Sequence, residues 1–147
     1  MKLGNIMVKR VITISSKDNI MNAARKMRES NIGCLVVGEE RKVEGIITDR
    51  DLVVGCLGAG HISQLCQVSQ HMSSPVITAE PTMDIWDANR LMTHKKVKRL
   101  PVVKDGELIG IVSFSDIAQA LDRPMHDLLV GVGAARHSKE RESSLIF

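Results

Sequence analysis

Apolar and β-branched residues fall along the chain in short runs of alternating period, and the whole sequence of runs occurs twice. VITI at 11–14 reads as a strand, and Ile20, Ala23, Ala24 and Met27 then recur at helical spacing, which predicts one buried helix face. CLVV at 34–37 and VEGII at 43–47 predict two strands joined by a turn at 39–42, with a second helix beginning near Asp51. The order returns as VITA at 76–79, a helix marked by Ile85, Ala88 and Met92, and the strand pair LPVV and LIGIV. Lys104-Asp105-Gly106-Glu107 between those last strands is a hairpin turn, its Asp-Gly supplying positive φ. Asp18 and Thr82 stand where helix N-caps are expected.

A shift of sixty-five residues aligns 7–53 with 72–118 without a gap. Matches include Met7 with Met72, Val11-Ile12-Thr13 with Val76-Ile77-Thr78, Arg25 with Arg90, Leu35 with Leu100, Val37 with Val102, and Asp51 with Asp116. The chain is an internal duplication. A unit of three short strands and two helices buries little alone, so the two copies are expected to pack together as one structural domain. The predicted division is a first repeat at 1–60, a linker with a short amphipathic helix at 61–71, a second repeat at 72–124, and a helical stretch with a frayed polar tail at 125–147.

Composition narrows the function classes. With 44% apolar and 25% charged residues, the 147-residue chain is ordinary for a globular protein. Its longest apolar runs, about six residues, are far short of a membrane span, and no signal-peptide pattern opens it, so no membrane role and a cytoplasmic location are expected. Three unevenly spread cysteines, Cys34, Cys56 and Cys66, read as reduced thiols. The net charge of +3 is mild, and the basic run HKKVKR at 94–99 has no aromatic platform beside it, so nucleic acid is not an expected partner.

The chemistry-bearing feature is the repeated motif GIITDRD at 45–51 and GIVSFSD at 110–116. In each, a strand leads through Thr48 or Ser113 into a helix start, where free N–H groups favour an anion and the hydroxyl adds a donor. Asp51 or Asp116 can accept hydrogen bonds from a ribose, and Gly45 and Gly110 permit close backbone approach. The same spacing is also a plain helix cap, and the residues alone leave both readings open.

The paired motifs, the KRLPVV strand and the HMSSPVIT opening resemble the tandem cystathionine-β-synthase (CBS) domain pair, or Bateman module, over about 7–121. The resemblance implies an α/β (α+β) fold: two CBS repeats, each a small three-stranded sheet with two helices, related by a pseudo-twofold axis. It implies a regulatory module, not an enzyme, that binds AMP, ADP, ATP or S-adenosylmethionine in clefts between the repeats and signals through its shape. No resident cofactor is implied. Carried over, one cleft uses Thr48, Arg50 and Asp51 with Ile77, Thr78, Lys98 and Arg99. The other uses Ser113, Ser115 and Asp116 with Ile12, Thr13, Gly33 and Cys34, and lacks the cations that Lys98 and Arg99 give the first. A homodimer is implied, with an effector protein as a possible partner.

Three rival readings accompany it. TDRD imitates a phosphatase motif with Asp49 as nucleophile and Asp51 as acid/base, but the repeat partner of Asp49 is Phe114. Cys56, His61, Cys66 and His71 are four metal-ligand types spaced by five, which on a helix point in different directions, so no metal site is expected. In its place stands a linker helix burying Leu65 and Val68 with His71 exposed. The third is a purely structural or protein-interaction module that binds no nucleotide.

Overall fold

The computed structural model describes residues 1–121 and 130; apart from Val130, the expected C-terminal helical stretch and polar tail lie outside the described residues. The first repeat contains β1 (Thr13–Ile14), α1 (Ile20–Ser30), β2 (Cys34–Val37), β3 (Gly45–Thr48) and a wide helix of i→i+5 hydrogen bonds, Asp51–Leu57. The second contains α2 (Ile85–Lys95), β4 (Arg99–Lys104), β5 (Glu107–Ser113) and α3 (Phe114–Leu121).

Both long helices form as their spacing predicts. Ile20, Ala23 and Met27 of α1 and Ile85, Ala88 and Met92 of α2 are buried, while Ala24 faces solvent. The N-caps are Asn19 and Asp84, not Asp18 and Thr82. Asn19 accepts from the Asn22 amide at 2.8 Å and Asp84 from the Trp86 amide at 2.9 Å. Asp18 instead braces the cap, accepting from Asn19 N–H and the Asn22 side-chain amide. Each helix closes on a left-handed residue, Asn31 at φ 51° and Lys96 at φ 56°.

In the first sheet β1 runs parallel to β2, and β2 antiparallel to β3, with Cys34 opposite Thr48. Among the described residues the second sheet has two strands, not three, with Arg99 opposite Ser113. VITA contributes only a bridge from Ala79 to Val102. The cause is one residue. Val36 N–H donates to Ile12 O in the first repeat, whereas Pro101 at the matching position has no N–H to offer Ile77. The hairpin turn forms as expected, with Asp105 at φ 52° and Gly106 at φ 80°.

The repeats exchange their leading arms. Val8 and Ile111 trade both backbone hydrogen bonds, and Ser73 and Ile46 do the same sixty-five residues on. Leu3, Ile6 and Met7 join the core of the second repeat, while Val68 and Met72 join that of the first. The motif glycines serve this exchange: a Cβ on Gly110 would lie 2.6 Å from Met7 Sδ, and one on Gly45 2.7 Å from Met72 Sδ. Their close backbone approach is thus to an arm of the chain, the role the sequence reading gave to a ligand.

The linker is not a helix. Beyond the turn at 58–60 it holds turns and a single 3₁₀ segment, Val68–Gln70. Val68 is buried as expected, but Leu65 is 76% exposed and His71 is half-buried.

Candidate functional site: two clefts between the repeats

Two clefts of about 380 Å³ each lie between the repeats. The first is lined by Thr48, Arg50 and Asp51 of one repeat and by Ile77, Lys98 and Arg99 of the other, all anticipated from sequence. The second is lined by Ser113 and Asp116 with Ile12, Gly33 and Cys34. Three anticipated residues stand apart. Thr78 lines neither cleft and is exposed, and Thr13 opens onto a separate surface depression beside Glu39 and Lys42. Ser115 does not line the second cleft but holds Ser113, their hydroxyl oxygens 2.8 Å apart.

The linings match position by position under the shift of sixty-five. Asn31, Ile32, Gly33 and Cys34 in one cleft stand where Lys96, Val97, Lys98 and Arg99 stand in the other. Residues the sequence reading missed fall into the same register: Val8, Arg10, Val11 and Ile111 in the second cleft, and Ser73, Pro75, Val76 and Ile46 in the first. The signal was the repeat itself, extended to the arms. Lys96, outside the residues expected there from sequence, also lines the first cleft.

Each motif closes on itself. Asp51 Oδ2 accepts from the Thr48 amide at 2.8 Å and its hydroxyl at 3.0 Å, and the Thr48 hydroxyl oxygen accepts from the Asp51 amide at 3.3 Å. Ser113 and Asp116 repeat this at 2.7, 2.6 and 3.2 Å. The capping reading is therefore correct as geometry. It leaves a second carboxylate oxygen, Oδ1, with no hydrogen bond among the described residues on either Asp51 or Asp116, so capping and ligand binding are compatible.

Arg99 lines both clefts, which corrects the expectation that the second has no cation from this strand. Its register opposite Ser113 places it beside the second motif, and its length reaches the first. Arg10 adds a further cation to the second cleft. Beside this centre the Cys34 thiol is pushed up to about 11, chiefly by burial; the Arg99 guanidinium opposes the shift, and the Asp49 and Asp51 carboxylates add to it. Asp49 packs over Gly33, where a Cβ would come within 2.8 Å of its Oδ2.

The family model for the CBS domain matches twice, over residues 3–57 and 68–123. The chain belongs to the CBS domain family. It is 35% identical over 112 residues to the CBS domain-containing protein YhcV of Bacillus subtilis, covering 76% of this chain and 79% of that one. It is 30% identical over 131 residues to Hypoxic response protein 1 of Mycobacterium tuberculosis, covering 88% of this chain and 90% of that one. A crystal structure of that protein with two coordinated zinc ions superposes with a TM-score of 0.76 at 28% identity, covering 83% of this chain and all of that one. The CBS domain pair of protein MJ0100, in complex with 5′-methylthioadenosine and S-adenosyl-L-methionine, superposes with a TM-score of 0.74 at 29% identity, covering 82% and 94%. A CBS pair is a regulatory ligand-binding module. Among the described residues no helix is long and apolar enough to cross a membrane.

Proposed function

We propose that this CBS pair senses an adenosine-containing ligand held in one or both clefts and reports it through a change in how the repeats sit against each other. The observation that carries the reading is the pair of equivalent clefts, each with a hydroxyl and a half-engaged aspartate at its motif. The unengaged oxygen of Asp51 or Asp116 would accept from ribose hydroxyls. Arg50, Lys98 and Arg99 would hold phosphates in the first cleft, and Arg10 and Arg99 in the second. Aliphatic surface from Ile46, Pro75, Val76, Ile77 and Val97 offers a flat wall for adenine in the first cleft. The adenosine ligands of the MJ0100 pair support this chemistry.

Four cations and two carboxylates line the first cleft, against two cations and one carboxylate in the second. The first cleft therefore favours ADP or ATP and the second AMP. The guanidiniums of the second disfavour cationic S-adenosylmethionine, one of the ligands that the resemblance implies. The signal passes to a separate effector protein or to a second copy of the chain, and exposed Trp86 and Phe114 offer apolar surface for a homodimer. No turnover is expected. Titration calorimetry with AMP, ADP, ATP and S-adenosylmethionine tests the reading: binding that Asp51→Ala and Asp116→Ala each weaken supports it. Heat from none of the four leaves a purely structural module.

A further inference from the structure

Cys56, Cys66 and His71 lie fifteen chain positions apart at the extremes, yet one ligand atom from each falls within 4.8 Å of the other two. The convergence depends on the linker not being helical. It turns back at once: His61 N–H donates to Cys56 O at 3.0 Å, and Cys66 N–H to Ile62 O at 3.2 Å. Cys66 O then accepts from Ile20 N–H, which ties the returning strand of chain to the first repeat. Spacing by five would scatter these side chains around a helix; a folded-back loop gathers them.

We propose that Cys56, Cys66, His71 and His61 form a tetrahedral zinc site. Zn–S near 2.3 Å and Zn–N near 2.0 Å set ligand atoms roughly 3.5–3.8 Å apart, so closing the three-residue group takes a contraction of about 1 Å. His61 supplies the fourth position. Its ring centroid is 5.7 Å from that of His71, against roughly 5 Å for two imidazoles on one tetrahedral ion, and its exposure leaves it free to turn. Two thiolates and two imidazoles suit zinc better than a hard cation. Each bound thiol forms a Zn–S bond and gives its proton to solvent.

Two further observations favour ligands over incidental core thiols. The positions equivalent to Cys56 and His71 in the other half of the duplication are Leu121 and Ile6, so ligating side chains stand where the matching place carries hydrocarbon. Gly55 opens the space for the imidazole: a Cβ there would come within 3.2 Å of His71 Nδ1. The site would clip two walls of the first cleft together. Cys56 shares its helix with Asp51, and His71 stands two residues before Ser73, which lines that cleft.

The test is metal titration of the reduced, metal-stripped full-length protein with Co²⁺, followed by zinc competition against a colorimetric chelator. One equivalent per chain is expected, with the intense visible bands of tetrahedral Co²⁺ and thiolate charge-transfer absorption. Because Cys56 is fully buried, Cys66→Ser and His71→Ala carry the test, with folding checked by circular dichroism. Each should lower zinc affinity by more than about a hundredfold, beyond what loss of a group outside the coordination sphere costs. His61→Ala should cost about tenfold and expose a water on the ion, and Cys34→Ser should change nothing. Zinc affinity that Cys66→Ser leaves within about twofold, a weak octahedral Co²⁺ spectrum, or a Cys56–Cys66 disulfide whose reduced form binds no metal would each overturn the proposal.

Discussion

The two repeats correspond position by position, yet the place facing the motif hydroxyl across each strand pair holds a buried thiol, Cys34, in one and a half-buried guanidinium, Arg99, in the other. A duplicated fold thus produces two clefts with the same hydroxyl and carboxylate and different positive charge. The difference is smaller than the two strands suggest, because Arg99 is long enough to serve both sides while Cys34 serves one. Equivalent architecture preserves the place of each cleft and its motif. A single long side chain at the pseudo-twofold centre sets how far the two sites can diverge.

The comparison can be broken most forcefully in the cores. Leu35 and Leu100 are equivalent and both fully buried, so Leu35→Ala and Leu100→Ala should each destabilise the chain by about 2–5 kcal/mol. Because Leu3 packs in the second core and Val68 in the first, either variant should shift one shared unfolding transition. Two separate calorimetric transitions would show the repeats to be independent. At the clefts, Arg99→Ala should weaken nucleotide binding about ten- to a hundredfold in both sites, the 1.5–3 kcal/mol of a charge-assisted hydrogen bond. Lys98→Ala should act on the first site alone, and calorimetry on both variants separates the two effects.

Helix capping gives a smaller contrast. Asn19→Ala should cost about 0.5–2 kcal/mol with little pH dependence, since an amide does not titrate. Asp84 is held below the usual carboxylate range, first by the Trp86 amide and then by the N-terminal amine. Its stabilisation is present above its ordinary value and lost as pH falls through the lowered one, so the effect of Asp84→Ala should shrink in acid. Denaturant titrations at neutral and acidic pH distinguish the caps. Smallest of all is the behaviour of Cys34. With its thiol pushed up to about 11, iodoacetamide should label it slowly at neutral pH, and more slowly still in Arg99→Ala, where the favourable guanidinium is gone.

Much of this was legible in the chain. The helical spacing of Ile20, Ala23 and Met27, the Asp105-Gly106 turn and the ungapped duplication locate most of the elements, and the paired motifs locate the hydroxyl and carboxylate of each cleft. These are local signals, governed by backbone preference and by which face of an element is apolar. The third strand of the second sheet was misjudged from its β-branched residues, since its loss comes from a missing N–H on Pro101 of a neighbouring strand.

Sequence by itself therefore determined the period of each element, the existence of two repeats and the identity of their polar motifs. Tertiary structure alone decided that the arms exchange cores, that Arg99 belongs to two clefts, and that Cys56, Cys66 and His71 meet. Each of those depends on contacts between segments distant in the chain, where packing and the satisfaction of backbone hydrogen bonds overrule the spacing written into any one segment.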